Sequence, residues 1–212
     1  MLTLALDTAT AAVSVAVARG DEVLAERSVP EARRHAELLA PLVAEVLGAA
    51  GVDRTELEQI VTGVGPGPFT GLRVGIVTAR TLAAVLGVPV LGVCSLDLVA
   101  LGSGLRGEFR VVTDARRKEV YWADYRWTGD HPERLRGPDV ARPADLDGDL
   151  PSVGEGVRLY PDAFAQAGEP LQPGAADACR WVAAGLPTLD AAPLYLRRPD
   201  AVEPGARKPV LS

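Results

Sequence analysis

A glycine–proline loop, two carboxylates ending apolar runs, and a few histidines and cysteines are the residues of this 212-residue chain whose types and spacing could do chemistry. The loop reads GVGPGPFTG, residues 63–71, between an apolar run and a helical pattern. Strand, glycine loop and helix in that order cradle a phosphate when successive backbone N–H groups, often with a lysine, aim at the anion. The pattern G-x-x-x-x-G-K-[ST] is absent, and no lysine is near, since the only ones are Lys118 and Lys208. Pro66 and Pro68 also remove two donors that such a nest would use. The residues predict a sharp strand-to-helix turn, with Gly65 and Gly67 supplying backbone angles that other residues avoid.

Asp7 ends the run Leu2–Leu6, and Asp114 ends the run Phe109–Thr113. Two readings stand for this pair. Strand-end carboxylates can handle magnesium and an attacking water, which makes Asp7 and Asp114 weak candidates for a nucleotide site. They can equally cap their own turns. Asp7 is followed by Thr8-Ala9-Thr10, without the glycine turn and basic residue a phosphate would use, and Asp114 by Ala115-Arg116-Arg117. His35 and His131 are far apart, with no H-x-x-x-H or H-E-x-x-H, so no metal site and no cofactor are expected. Cys94 and Cys179 read as buried thiols of a reducing compartment, too few for a disulfide framework. A net charge of −6 argues against strong nucleic-acid binding by this chain alone. With no run of about 20 apolar residues, no membrane span is expected.

The elements that would position these residues follow from periodicity. Leu2–Leu6, the alternating Val13, Val15 and Val17, and Val23-Leu24 after a Gly20-Asp21 turn predict three antiparallel strands. Arg33 to Ala50 has helical spacing, with Pro41 predicting a kink or a late start. The strand–loop–helix–strand of 61–93 predicts parallel strands around a right-handed crossover, its helix capped by Thr70. A helix capped by Ser95 runs to Gly102, and the glycine-rich 101–108 is the candidate hinge. Strands follow at 109–113 and 120–127, short strands at most between 129 and 151, and short helices at Leu159–Ala167 and Ala175–Ala184. The order βββαβαβα describes a ribonuclease-H-like lobe. Two such lobes make the actin-like ATPase (ASKHA) architecture, an α/β fold with the second lobe reduced here. The expected division is 1–104, 105–196, and a mobile tail at 197–212.

The helix at 70–86 is apolar on more sides than one sheet can cover. Gly71, Gly75, Ala79 and Ala83 recur every four residues and make a smooth ridge. Val74, Val77, Leu82, Val85 and Leu86 cover most of the rest, leaving Arg73 and Arg80 as solvent-seeking residues. Either the helix of 33–50 covers the second side, or a partner protein does. The apolar Leu38, Leu39, Leu42, Val43, Val46 and Leu47 of that helix favour the partner.

Several segments resemble the TsaB (YeaZ) family: DTATAAVSVAV at 7–17, RRHAELLAPLV at 33–43, GVGPGPFTGLRVGIVTARTLA at 63–83, DARRKEVYWADY at 114–125 and PLYLR at 193–197. Ala36 stands where that family often has serine. The resemblance implies a cytoplasmic accessory subunit, with no catalytic residues of its own, of the complex that installs N6-threonylcarbamoyladenosine beside the anticodon of tRNAs reading codons that begin with A. It implies a heterodimer with the related TsaD, the ATPase TsaE in a larger complex, tRNA contact only through that complex, and a possible homodimer through the same helices. The implied partner interface lies on the first two helices: His35, Leu38, Leu39, Leu42 and Val46, with Gly71, Leu72, Gly75, Ile76, Ala79, Arg80 and Ala83. Where TsaD carries a metal-binding H-x-x-x-H, this chain has Ser95 and Val99, which also makes a metallopeptidase improbable. The alternative is an independent actin-fold ATPase or sugar kinase with Asp7 and Asp114 at the nucleotide.

Overall fold

The computed structural model describes residues 1–30, 34–164 and 168–197. Its first sheet has five strands in the order β3-β2-β1-β4-β5: β1 Leu2–Asp7, β2 Ala12–Arg19, β3 Glu22–Pro30, β4 Gln59–Gly63 and β5 Val90–Val93. β1, β2 and β3 pair antiparallel, whereas β1, β4 and β5 are parallel, as the turn and crossover signals predicted.

Alternation along the strands sorts side chains by size. Leu2, Leu4, Leu6, Val13, Val15 and Val17 face one side, where α1 (His35–Ala50) and α2 (Phe69–Leu86) cover them. Ala5, Ala16 and Ala18 face the other, where α3 (Ser95–Ser103) and α5 (Ala175–Ala183) pack. α5 thus returns to the first sheet from the far end of the chain, and its Ala175 amide donates to Ser14 Oγ at 2.9 Å.

The second sheet has the order β8-β7-β6-β9: β6 Gly107–Asp114, β7 Val120–Thr128, β8 His131–Ala141 and β9 Ser152–Val153, followed by α4 (Glu155–Leu159). α3 belongs to both sheets. Its Leu98 joins the core of the first, while Leu96, Val99 and Ala100 pack on Phe109, Val111 and Tyr125 of the second. Asp97 on α3 accepts from Tyr125 Oη at 2.7 Å and pairs with Arg134 at 2.9 Å. Inside the second sheet, Arg110 forks onto Asp124, and Arg136 joins the same carboxylate.

Several sequence expectations change. β8 is an eleven-residue strand where short strands at most were expected, because cross-strand pairing with β7 outweighs its prolines and glycine. α4 begins and ends earlier than the helix expected at 159–167, whose last residues lie outside the described ones. α1 runs through Pro41 from His35, and the expected start at Arg33 is also outside them. α2 starts at Phe69 behind Pro68, not behind a Thr70 cap. Contrary to the expectation that no segment could span a membrane, α2 is long and apolar enough to do so by length and composition, yet Leu72, Gly75, Ile76, Ala79 and Ala83 are packed on the sheet. The tail at 198–212 lies outside the described residues.

Candidate functional site

β1 delivers Asp7 to the end of the first sheet, and the geometry there is closed. Asp7 is 1% exposed. One carboxylate oxygen accepts from the Ala9 amide at 2.8 Å, and the other from Ser95 Oγ at 2.6 Å. Ser95 Oγ in turn accepts from the Gly65 amide at 3.2 Å, and the Ser95 amide donates to the Gly65 carbonyl at 2.8 Å. Burial pushes the Asp7 carboxyl up to about 6, with the Ser95 and Ala9 hydrogen bonds pulling it back. Ser95 is therefore not the cap of α3, a position that Cys94 occupies; its hydroxyl ties the Asp7 carboxylate to the loop.

The glycine–proline loop presses on this knot. Gly65 has φ +94°, as its role in a sharp turn required. Gly67 has a different reason to be glycine: a Cβ there would overlap the Ala9 carbonyl. A Cβ on Gly63 would likewise overlap the Asp7 carboxylate. The space that a phosphate would need beside Asp7 is filled by the loop itself.

Asp114, at the end of β6, engages its own turn. It accepts from the Arg116 amide at 2.7 Å and pairs with the Arg116 guanidinium at 3.0 Å. Arg116, Arg117 and Lys118 then follow with φ of 62°, 57° and 61°. Among the described residues no hydrogen bond or ion pair joins Asp7 to Asp114, and no group of three His, Cys, Asp or Glu side chains is placed to hold a metal. Val99, where the resemblance put one missing histidine, is in the core. Cys94 and Cys179 are buried free thiols, each pushed up to about 12 by burial.

The helices expected to dock a partner show two unlike faces. The Thr8 hydroxyl donates to the Gly71 carbonyl at 2.7 Å and accepts from the Gly75 amide at 3.0 Å, inserting between two successive turns of α2. A Cβ on Gly75 would overlap that hydroxyl, and one on Gly71 would stand 2.7 Å from the Thr8 carbonyl. The small-residue ridge is small so that β1 can approach. Gly71, Leu72, Gly75, Ile76, Ala79 and Ala83 are all buried within the chain, and so are Leu39, Leu42 and Val46 of α1. His35 is buried too, its Nε2 2.9 Å from the Thr10 carbonyl oxygen. These ten of the twelve expected interface residues are buried within the described residues, where Thr8 and the first sheet receive the ridge. Leu38 is partly exposed and Arg80 is exposed.

The outer face of α2 is a different set. Val77 is 60% exposed and Val85 78%, and with Arg80, Thr81 and Ala84 they line an open depression of about 560 Å³. The sequence reading counted Val77 and Val85 in the apolar excess of this helix and placed Arg80 in the interface, but left the two valines, Thr81 and Ala84 out of the expected interface because the glycine ridge was the stronger pattern. The usable signal was position: Val77 lies between Arg73 and Arg80, the two residues already assigned to solvent. Arg73 is held in place, stacked beside Phe69 and Tyr195 and donating to the Tyr195 hydroxyl at 2.7 Å.

Comparison with known proteins places this geometry. A family model described as TsaD, tRNA N6-adenosine threonylcarbamoyltransferase, matches residues 22–188. An uncharacterized protein of Mycobacterium leprae is 44% identical over 94% of this chain, which spans 56% of that protein's length. The tRNA threonylcarbamoyladenosine biosynthesis protein TsaB of Escherichia coli is 36% identical, with 93% of this chain and 95% of that protein covered. Among solved structures, YeaZ from Pseudomonas aeruginosa superposes with a TM-score of 0.77 at 31% identity, over 92% of this chain and 99% of its own. The two-lobed, actin-like α/β class read from the order of elements is thus the fold of this chain.

Proposed function

Because the chain belongs to the TsaB family, within the group related to TsaD, we propose that it is a non-catalytic accessory subunit of tRNA threonylcarbamoyladenosine biosynthesis, acting in the cytoplasm by binding and stabilising a TsaD partner. The observation that carries the docking role is the outer face of α2, where Val77 and Val85 stand exposed on a helix whose inner side is already satisfied. Exposed apolar side chains grouped on one rigid helix mark a protein-binding surface. The closed knot around Asp7 supports the accessory half of the reading, since that carboxylate has both oxygens engaged and no room beside it for a phosphate. TsaE and tRNA enter this scheme through the assembled complex.

The expected interface is therefore Val77, Arg80, Thr81, Ala84 and Val85. The double variant Val77→Asp, Val85→Asp should remain folded and lose co-purification with TsaD. Unchanged assembly by the folded variant would sink the interface. Calorimetry with Mg-ATP on the isolated chain tests the accessory assignment, and binding tighter than about 1 μM would favour an independent ATPase.

A further inference from the structure

α2 carries two charged side chains, Arg73 and Arg80, and no aspartate or glutamate. Counted from Val77 at about 100° per residue, both arginines fall to one side of the exposed stripe, by about 40° and 60°. Thr81 and Val85 fall to the other side, where α1 runs. There Ala36 shares a cavity with Thr70 and Val74, and Ala40 and Ala44 share one with Leu82 and Leu86. The outward surface of the two helices thus has three bands: exposed alanines on α1, the exposed Val77 and Val85, and a basic edge. The two arginines of that edge are seven residues apart, a rise of about 10 Å.

The basic edge has no counter-charge of its own. Arg80 is exposed and makes no hydrogen bond or ion pair among the described residues. Arg73 is held by the Tyr195 hydroxyl and the Phe69 and Tyr195 rings, and none of these groups is charged. This happens in a chain whose acids outnumber its bases, 28 to 22. The neighbouring α1 has only two carboxylates, and both are engaged elsewhere: Glu37 pairs with Arg34 at 3.0 Å and Glu45 with Arg27 at 2.8 Å.

On the docking role proposed above, we infer that the occupant of this face is an acidic, apolar helix of the partner protein. Its aliphatic side chains lie against Val77, Ala84 and Val85, and two carboxylates about one heptad apart meet Arg73 and Arg80. Acids at i and i+7 of a helix span the same rise of about 10 Å as the arginines. A second copy of this chain is the poorer occupant. It would offer either an α2 that has no acid or an α1 whose acids are already paired, and arginine against arginine opposes association. The valines supply the contact area, and the arginines select what is allowed to use it.

Calorimetry of the full chain with purified TsaD, at about 50 and about 300 mM salt, tests this. Binding by the parent should weaken at least about fivefold over that range. Arg80→Glu, at an exposed position with no contact to lose, should weaken binding at low salt at least about tenfold and remove most of the salt dependence. Arg80→Lys should stay within about threefold of the parent. The isolated chain should sediment as a monomer at about 50 μM. If Val77→Asp with Val85→Asp abolishes TsaD binding while Arg80→Glu changes neither affinity nor salt dependence, the docking role stands and the acidic partner helix is overturned. Indifference to both variants would take the docking role down with it. A dimer of the isolated chain that the valine variant disperses would also overturn the inference, because a second copy would then be what covers the face.

Discussion

Along α2 the face turned to the sheet carries no charge and the face turned to solvent sets Val77 and Val85 beside Arg73 and Arg80, and the two faces answer to different constraints. Inside, Gly71 and Gly75 are small because Thr8 occupies the space where their side chains would be. A glycine within a helix costs roughly 0.5–1 kcal/mol relative to alanine, so the close contact must more than offset it. Outside, nothing among the described residues requires valine at 77 or 85; there a polar residue would serve the monomer at least as well. Apolarity therefore counts how many contacts a helix makes, while side-chain size tells which contact is the intramolecular one.

The largest effect expected from breaking this contrast is on the inner face. Gly75→Leu should force Thr8 and Leu6 out of place and cost on the order of 3–5 kcal/mol, read by urea denaturation. A cost under about 1 kcal/mol would mean that the ridge is not the sheet-facing side.

The loop that launches α2 gives the next effect, on pH dependence. The folded pKa of Asp7 is raised from 3.8 to about 6, so its neutral form is the one the fold prefers. The stability this group contributes is full below pH 4 and is lost as pH rises through about 6, a change on the order of 3 kcal/mol. Asp7→Asn should flatten that part of the profile in denaturation midpoints measured from pH 4 to 7. A variant with the same slope as the parent would show that the knot is not what titrates. The smallest stability effect belongs to the outer face: Val77→Asp with Val85→Asp should shift unfolding by no more than about 0.5 kcal/mol, while the proposed docking role expects it to abolish partner binding.

Much of this was legible in the sequence, because period-2 and period-3.6 patterns report burial directly. The antiparallel triplet, the parallel crossover and the tight turn at Gly65 all follow from local residue types. What escaped was whatever depended on partners distant in sequence. That Ser95 serves Asp7 and not its own helix, 88 residues separating the two, has no local signature. The same holds for the direction of the glycine ridge, set by Thr8 across 63 residues. β8 was missed because Pro132 and Gly137 look like breakers until β7 is there to pair with.

α3 has one more consequence, for how the chain comes apart. Its residues Ser95 to Ala100 are buried between the two sheets and contribute to the cores of both. Neither half can melt without exposing the apolar surface of that shared helix, and α5 reaching back to the first sheet ties the chain ends of the two halves together. Heat should therefore dissolve the molecule in one cooperative step, with the calorimetric and van't Hoff enthalpies equal. Two resolved transitions would show that the halves keep separate accounts of their stability.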